Sequence, residues 1–244
     1  MKRKRIKAAV CAAVMAFTLF GSLCPVDYHF MRETSVTASA EAAIWDGTED
    51  TAWYYREHDV VVSENGERIA IFNIRTAEEL AGLAKLVRNG NSMKNTMINL
   101  VSDVTLNDTT NFDNWDEQPP ANNWTAIGAV PIEAPNVNVV MTIQPECRNT
   151  VFAGMFNGNG HTISGMYSLH HNYAGLFART SGIITNVIVK DSYIQCINTQ
   201  KVESGDTALW EACAGGITAI CDRGVISHCE FDGKIFASGL NHLF

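Results

Sequence analysis

Three groups of residues are of types and spacings that could do chemistry. The first is the glycine run in "AGMFNGNGHTISGM" (153–166), which opens like a phosphate-binding loop. Such a loop aims backbone N–H groups at phosphate, and it needs G-x-G-x-x-G between a strand and a helix. Gly158, Gly160 and Gly165 do not keep that spacing, and no helical pattern follows them. They read as turn glycines. The second group is Asp191, Asp222 and Asp232, beside Lys190, Arg223 and Lys234. Clustered carboxylates bind Ca²⁺ near a base, or act as an acid–base pair on a polysaccharide. Here the carboxylates do not align between repeats, so solvated strand-edge charges explain them better. The third group is Trp115, in "FDNWDEQPP", and Trp210, in "NTQKVESGDTALWEA". An exposed indole is a sugar platform, and these two are the candidate ligand-binding residues, with packing into a core as the alternative for each. Trp124 reads as buried framework.

The remaining reactive residues point to no catalytic centre. There is no H-E-x-x-H and no G-x-S-x-G. His170 and His171 read as loop histidines whose side chains point oppositely, and His161 as part of a turn. "DGTED" (46–50) lacks the alternating oxygen ligands of a calcium loop. After residue 40 five cysteines remain, Cys147, Cys196, Cys213, Cys221 and Cys229, with no C-x-x-C among them. Buried thiols, a disulfide and metal ligation all stay open. No cofactor, metal or catalytic residue is expected.

The chain starts with a basic segment, "MKRKRIK", and an apolar run, Ala8–Phe20, broken by Gly21-Ser22 before membrane-spanning length. Ala38-Ser39-Ala40 offers a small-x-small cleavage site, so 1–40 reads as a signal peptide, with an uncleaved anchor as the alternative. Leu23 before Cys24 is too large for a lipoprotein signal. Residues 1–40 hold six of the 18 Lys+Arg and two of the 26 Asp+Glu, so the remainder carries a net charge of −12. That charge argues against nucleic acid and anionic membranes as partners. A secreted or cell-surface protein is expected, with no membrane insertion once the signal is removed.

The elements that must position these residues are mostly strands. Residues 41–75 form an aromatic and acidic lead-in, a turn at Asn65-Gly66 and a strand, "RIAIFNI". Residues 76–90 read as a capping helix: Thr76 and Glu79 make a capping box, Gly90 a stop, and Leu80, Leu83, Ala84 and Val87 one apolar face. Residues 91–151 read as the first β coils, with loop insertions, and "VNVVMTIQ" within them as a short strand. Residues 152–244 read as repeat coils, incomplete at the C-terminus and expecting further coils of a longer chain.

The repeat is read from a shift of 21, which places Gly154 on Gly175, Phe156 on Phe177 and Ile163 on Ile184. A third copy puts Gly215 40 residues beyond Gly175, and Ile226 42 beyond Ile184. Short β runs at this period are a stacking pattern. The expected interior stacks Phe156 on Phe177 and Ile217, and Ile163 on Ile184 and Ile226. Gly160 and the other motif glycines supply the corners.

"AGMFNGNGHTISGM", "AGLFARTSGIITNV" and "AGGITAICDRGVISHC" resemble the GLUG-motif repeats of bacterial cell-surface and secreted proteins, including those attached to IgA-protease-type polypeptides. "TAEELAGLAKLV", "INLVSDVTLN" and "WTAIG" resemble the segment that precedes such repeats in surface proteins of Gram-positive gut anaerobes. Ala178 and Ala219 stand where the motif's second glycine falls, implying less sharply bent corners. The resemblance implies a mainly β protein, a right-handed parallel β-helix (β-solenoid) behind the N-terminal helix, and it brings no catalytic residues. The expected function is a non-enzymatic extracellular module, adhesive or spacer, whose partner is carbohydrate or a host or cell-surface protein. The alternative is a carbohydrate-active β-helix enzyme, a polysaccharide lyase or hydrolase.

Overall fold

The computed structural model describes residues 43–128, 151–198 and 212–239. The expected signal peptide, Trp210, Cys147 and the "VNVVMTIQ" strand lie outside the described residues. The fold is mainly β, with parallel strands in curled sheets.

The strands β1 (Asp59–Val62) and β2 (Arg68–Ile74) form an antiparallel hairpin around the Asn65-Gly66 turn. The helix α1 (Ala77–Arg88) then crosses to β3 (Thr96–Leu100), which lies parallel beside β2. Its ends are set as the sequence dictates. Thr76 Oγ1 accepts the Glu79 N–H, and the Glu79 carboxylate reaches back to the Arg75 N–H. At the far end the Gly90 N–H reaches the Val87 carbonyl and the Asn91 N–H reaches Leu86, with Gly90 at φ 95°. This is the paired closure that a left-handed glycine permits. Leu80, Leu83, Ala84 and Val87 are all buried in the main core. The lead-in crosses the helix at Gly82, where a Cβ would sit 1.8 Å from the Asp50 carbonyl oxygen.

After β4 (Val104–Thr105) the described chain runs through β5 (Met155–Asn157), β6 (Thr162–Ser164), β7 (Tyr167–His170), β8 (Tyr173–Ala174) and β9 (Phe177–Thr180). It then repeats the circuit. β10 (Ile183–Thr185) lies on β5, β11 (Ile188–Asn198) on β6 and β7, β12 (Cys213–Ala214) on β8, and β13 (Thr218–Cys221) on β9. A last pass, β14 (Val225–Ser227) and β15 (Glu230–Gly239), lies on β10 and β11. Among the described residues, every pairing after the first hairpin is parallel, giving one sheet in the order β1-β2-β3-β5-β10-β14 and another in the order β15-β11-β6-β4.

This register corrects the expected stacking. Ile184 lies beside Ile226 as anticipated, but its other neighbour is Phe156, twenty-eight residues earlier, and not Ile163. Ile163 pairs with Val189, which pairs with Phe231. Phe177 bridges Ile127 and pairs with Thr218. Phe156 and Phe177 do meet, edge to face with ring centroids 5.5 Å apart, but across the interior of one pass. The two "AG" segments related by 21 therefore lead into different faces of the same pass, with β6 and β7 between them. They look alike because each face needs a small residue before a large inward one. Phe72, Ile98, Phe156, Ile184 and Ile226 form one column, buried along its length until Ile226.

The motif glycines split by role. Gly160 and Gly175 have positive φ, whereas Gly182 is required by close approach, since its Cβ would sit 2.0 Å from the Gly154 oxygen. Ala178 and Ala219 lie within β9 and β13, so neither marks a corner.

Candidate functional site

The first site residue to place is Trp115, and it is not a platform. The loop around it folds over the outward face of β7 and β11, leaving the indole only 1% exposed. It meets Phe112 and Tyr167 edge-on at centroid distances of 5.3 and 6.1 Å. Tyr167 and Tyr193 stack at 5.6 Å, and Tyr193 continues to Phe236 at 5.3 Å. This small outer core forms because outward tyrosines on neighbouring strands present a continuous apolar strip, and the loop removes it from water. Burial, first, and the neighbouring Tyr193 raise the Tyr167 phenol above its ordinary range. Lys234 clamps the loop from β15, with Nζ 5.1 Å from the Phe112 ring centre and 2.8 Å from the Asp113 carbonyl oxygen.

The carboxylates are not brought into one cluster. Asp222, at the β13–β14 corner, pairs with Arg179 at 3.1 Å and Arg223 at 3.6 Å. Asp191 occupies the irregularity in the β11–β15 register, at φ 46°. In the lead-in, Asp46 accepts the Thr48 N–H and hydroxyl, while Glu49 holds α1 through Lys85 and Arg88 at 3.2 and 2.8 Å. Among the described residues, no group of three or more His, Cys, Asp or Glu is placed to hold a metal ion.

The histidines divide. His161 Nδ1 lies 3.1 Å from Asp103, whose carboxylate also accepts the Thr162 N–H, so the turn role holds. His170 is not a loop residue: it ends β7, is buried, and accepts the N–H groups of Asn172 and Tyr173 through Nδ1. That contact puts the ring proton on Nε2.

Sequence reasoning missed a concavity at one corner of the stack. Asn159, Asn186 and His228 occupy that corner in successive passes, each in the left-handed region at φ 51°, 54° and 53°. Asparagine tolerates that conformation better than other L-residues. With Gly160, Ile188, Cys229 and Glu230 they line a groove of about 630 Å³. Beside it runs an amide ladder: Asn99 donates to Asn73 at 3.2 Å, Asn157 to Asn99 at 3.5 Å, and Asn186 to Asn157 at 3.0 Å. Asn159 also donates to the Leu100 carbonyl at 2.8 Å, so its amide is committed to structure. His228 and Glu230 are exposed. The lining thus offers one exposed imidazole and one exposed carboxylate beside the two asparagine amides. A glycoside-cleaving pair needs a second carboxyl group. The chain matches no protein-family model, no curated protein and no solved structure.

Proposed function

We infer that this chain is a non-enzymatic extracellular module of a bacterial surface or secreted protein, a right-handed parallel β-helix of GLUG-like coils with α1 capping its first turn, that spaces or adheres. The observation that supports the reading is a set of columns. Apolar residues line up from Phe72 to Ile226 and close-packed glycines from Gly154 through Gly182 to Gly224, while an asparagine column runs from Asn73 to Asn157 before Thr185 and Ser227 replace it, so much of the sequence is spent on stacking. Adhesion, where it occurs, is assigned to the corner groove, with carbohydrate or a host or cell-surface protein as ligand. Trp115 has no part in it.

The test uses the full chain with a panel of acidic and neutral polysaccharides, with and without Ca²⁺. Retention of the chain by a polymer without new reducing ends, weakened by His228→Ala or Glu230→Ala, is the expected adhesive outcome. Neither retention nor release leaves the spacer role. New reducing ends that disappear in Asp191→Ala or Asp222→Ala would replace this reading with a depolymerase.

A further inference from the structure

β15 is an edge. It has β11 on one side and, among the described residues, no strand on the other. Val225 and Ile226 of β14 and Ile235 and Phe236 of β15, at 53, 39, 42 and 48% exposure, give this last pass half of the exposed large apolar side chains described. A ten-residue strand with an unpaired row of N–H and C=O groups is a template for another strand. At the opposite end the same stack already accepts an antiparallel strand: β1 closes β2 in that orientation.

The side chains of β15 alternate. Phe231 packs on the main core and Ile235 pairs with the buried Ile194, so both point inward. Lys234 reaches the outer loop and the Phe236 ring meets the outer Tyr193 at a tilt, so both point outward, and Asp232 shares their parity. Among the two-fold axes on which a second β15 can add antiparallel, those in the charged stretch around Gly233 are told apart by charge. An axis at Asp232 sets Asp232 against its own copy, and an axis at Lys234 sets Lys234 against its copy, both repulsive. An axis at Gly233 sets each Asp232 against the other copy's Lys234, twice, and each inward Phe231 against the other copy's inward Ile235. Gly233 on the axis has no side chain to clash. An axis between two residues would set inward side chains against outward ones.

We propose that the β15 edge is a self-association surface, on which a second copy of this chain docks tail to tail through antiparallel β15 strands crossing at Gly233. The contact is isologous, so it closes at a dimer and does not propagate. It does not depend on the adhesive or spacer reading, because it concerns purified protein alone.

Sedimentation equilibrium on the full chain tests it. The expected result is a monomer–dimer equilibrium for the parent. Asp232→Lys alone and Lys234→Asp alone each weaken it by about thirtyfold or more, since each replaces two opposite-charge pairs with two like-charge pairs. An equimolar mixture of the two variants restores the dimer, because an edge with lysine at both positions then meets an edge with aspartate at both. The mixture separates lost complementarity from lost folding, because misfolded variants do not rescue each other. A monomeric parent overturns the proposal, as do open-ended oligomers or a mixture no tighter than either variant. If further coils of a longer chain cover the edge, that longer chain sediments as a monomer, which also overturns the proposal.

Discussion

Gly182→Ala tests the stacking register directly. Gly182 is not in the left-handed region, so alanine is acceptable to its backbone, and its effect on the unfolded chain favours folding by about 0.4–1 kcal/mol. The opposing term is steric. The new Cβ would sit 2.0 Å from the Gly154 carbonyl oxygen and 3.0 Å from the Ala153 and Gly154 carbonyl carbons. Relief needs a shift of about 1 Å between strands spaced about 4.8 Å apart. The displaced oxygen is the acceptor of the Ile183 N–H at 2.9 Å, so the first bond of the β5–β10 ladder goes with it. Overpacking costs about 1–3 kcal/mol and the lost hydrogen bond about 1 kcal/mol. Less the unfolded-state gain, the variant is expected to be about 2–3 kcal/mol less stable. For a chain of this size that is a fall in Tm of roughly 5–10 °C, read by far-ultraviolet circular dichroism and checked by urea titration with unchanged slope. Gly66→Ala, at φ 85° with nothing within 4 Å, is the companion that isolates backbone strain, at about 1 kcal/mol. If stacking followed the 21-residue shift, Gly182 would lie over His161 with no glycine oxygen beneath it. A Gly182→Ala chain as stable as the parent, or more so, would refute the register.

Trp115→Ala is expected to destabilise the chain by about 3–5 kcal/mol while leaving retention by any polysaccharide unchanged once the folded fraction is equalised; loss of retention alone would return the indole to the ligand surface. Burial works to raise the Glu49 carboxyl, but hydrogen bonds and charge from Arg88 and Lys85 prevail and hold it below its ordinary value of 4.5. A depressed carboxyl contributes stability that is fully present above the unfolded value and is lost as pH falls through the folded one. Glu49→Gln should therefore lower the urea midpoint at pH 7, and the difference should shrink as pH falls below 4.5 and through the folded value. Cys196, pushed up to about 11 by burial above all, should react with iodoacetamide at pH 8 at least roughly a hundredfold more slowly than an ordinary thiol, whereas the exposed Cys221 reacts early. Peptide mapping of the alkylated chain distinguishes the two.

How far the sequence could be read depended on whether local chemistry or long-range register set each feature. The helix was legible to its ends because capping, stopping and amphipathicity all sit within fifteen consecutive residues, and all four apolar-face residues are buried. Two offsets of the third copy, Ala174 to Ala214 and Ile184 to Ile226, are register pairs because they compare the same face of neighbouring passes, whereas Phe177 pairs with Thr218, one residue beyond the expected Ile217. The 21-residue shift compared different faces, and nothing local distinguishes the two cases. "AGMF" and "AGLF" satisfy the same small-then-large requirement whichever face they occupy.

A second signal was available and would have decided it. Phe72 and Ile98, Asn73 and Asn99, Ile163 and Val189, and Tyr167 and Tyr193 are each twenty-six residues apart, and each is a register pair. Apolar pairs at one shift are weak, since apolar residues are common. An asparagine pair and a tyrosine pair at the same shift are less easily met by accident, because each has its own reason to stack. Amides in column donate to one another along the sheet, and rings in column shield each other's faces. The tyrosine pair carries the further consequence that sequence reading missed. Two outward tyrosines one above the other make an apolar strip that water disfavours, so some loop must cover it. The polar loop "FDNWDEQPP" carries the side chains for that cover in Phe112 and Trp115. The twenty-six-residue shift therefore implies a buried Trp115 and leaves the corners as the exposed concave surface. There the left-handed positions of Asn159, Asn186 and His228 leave a groove in place of a packed side chain.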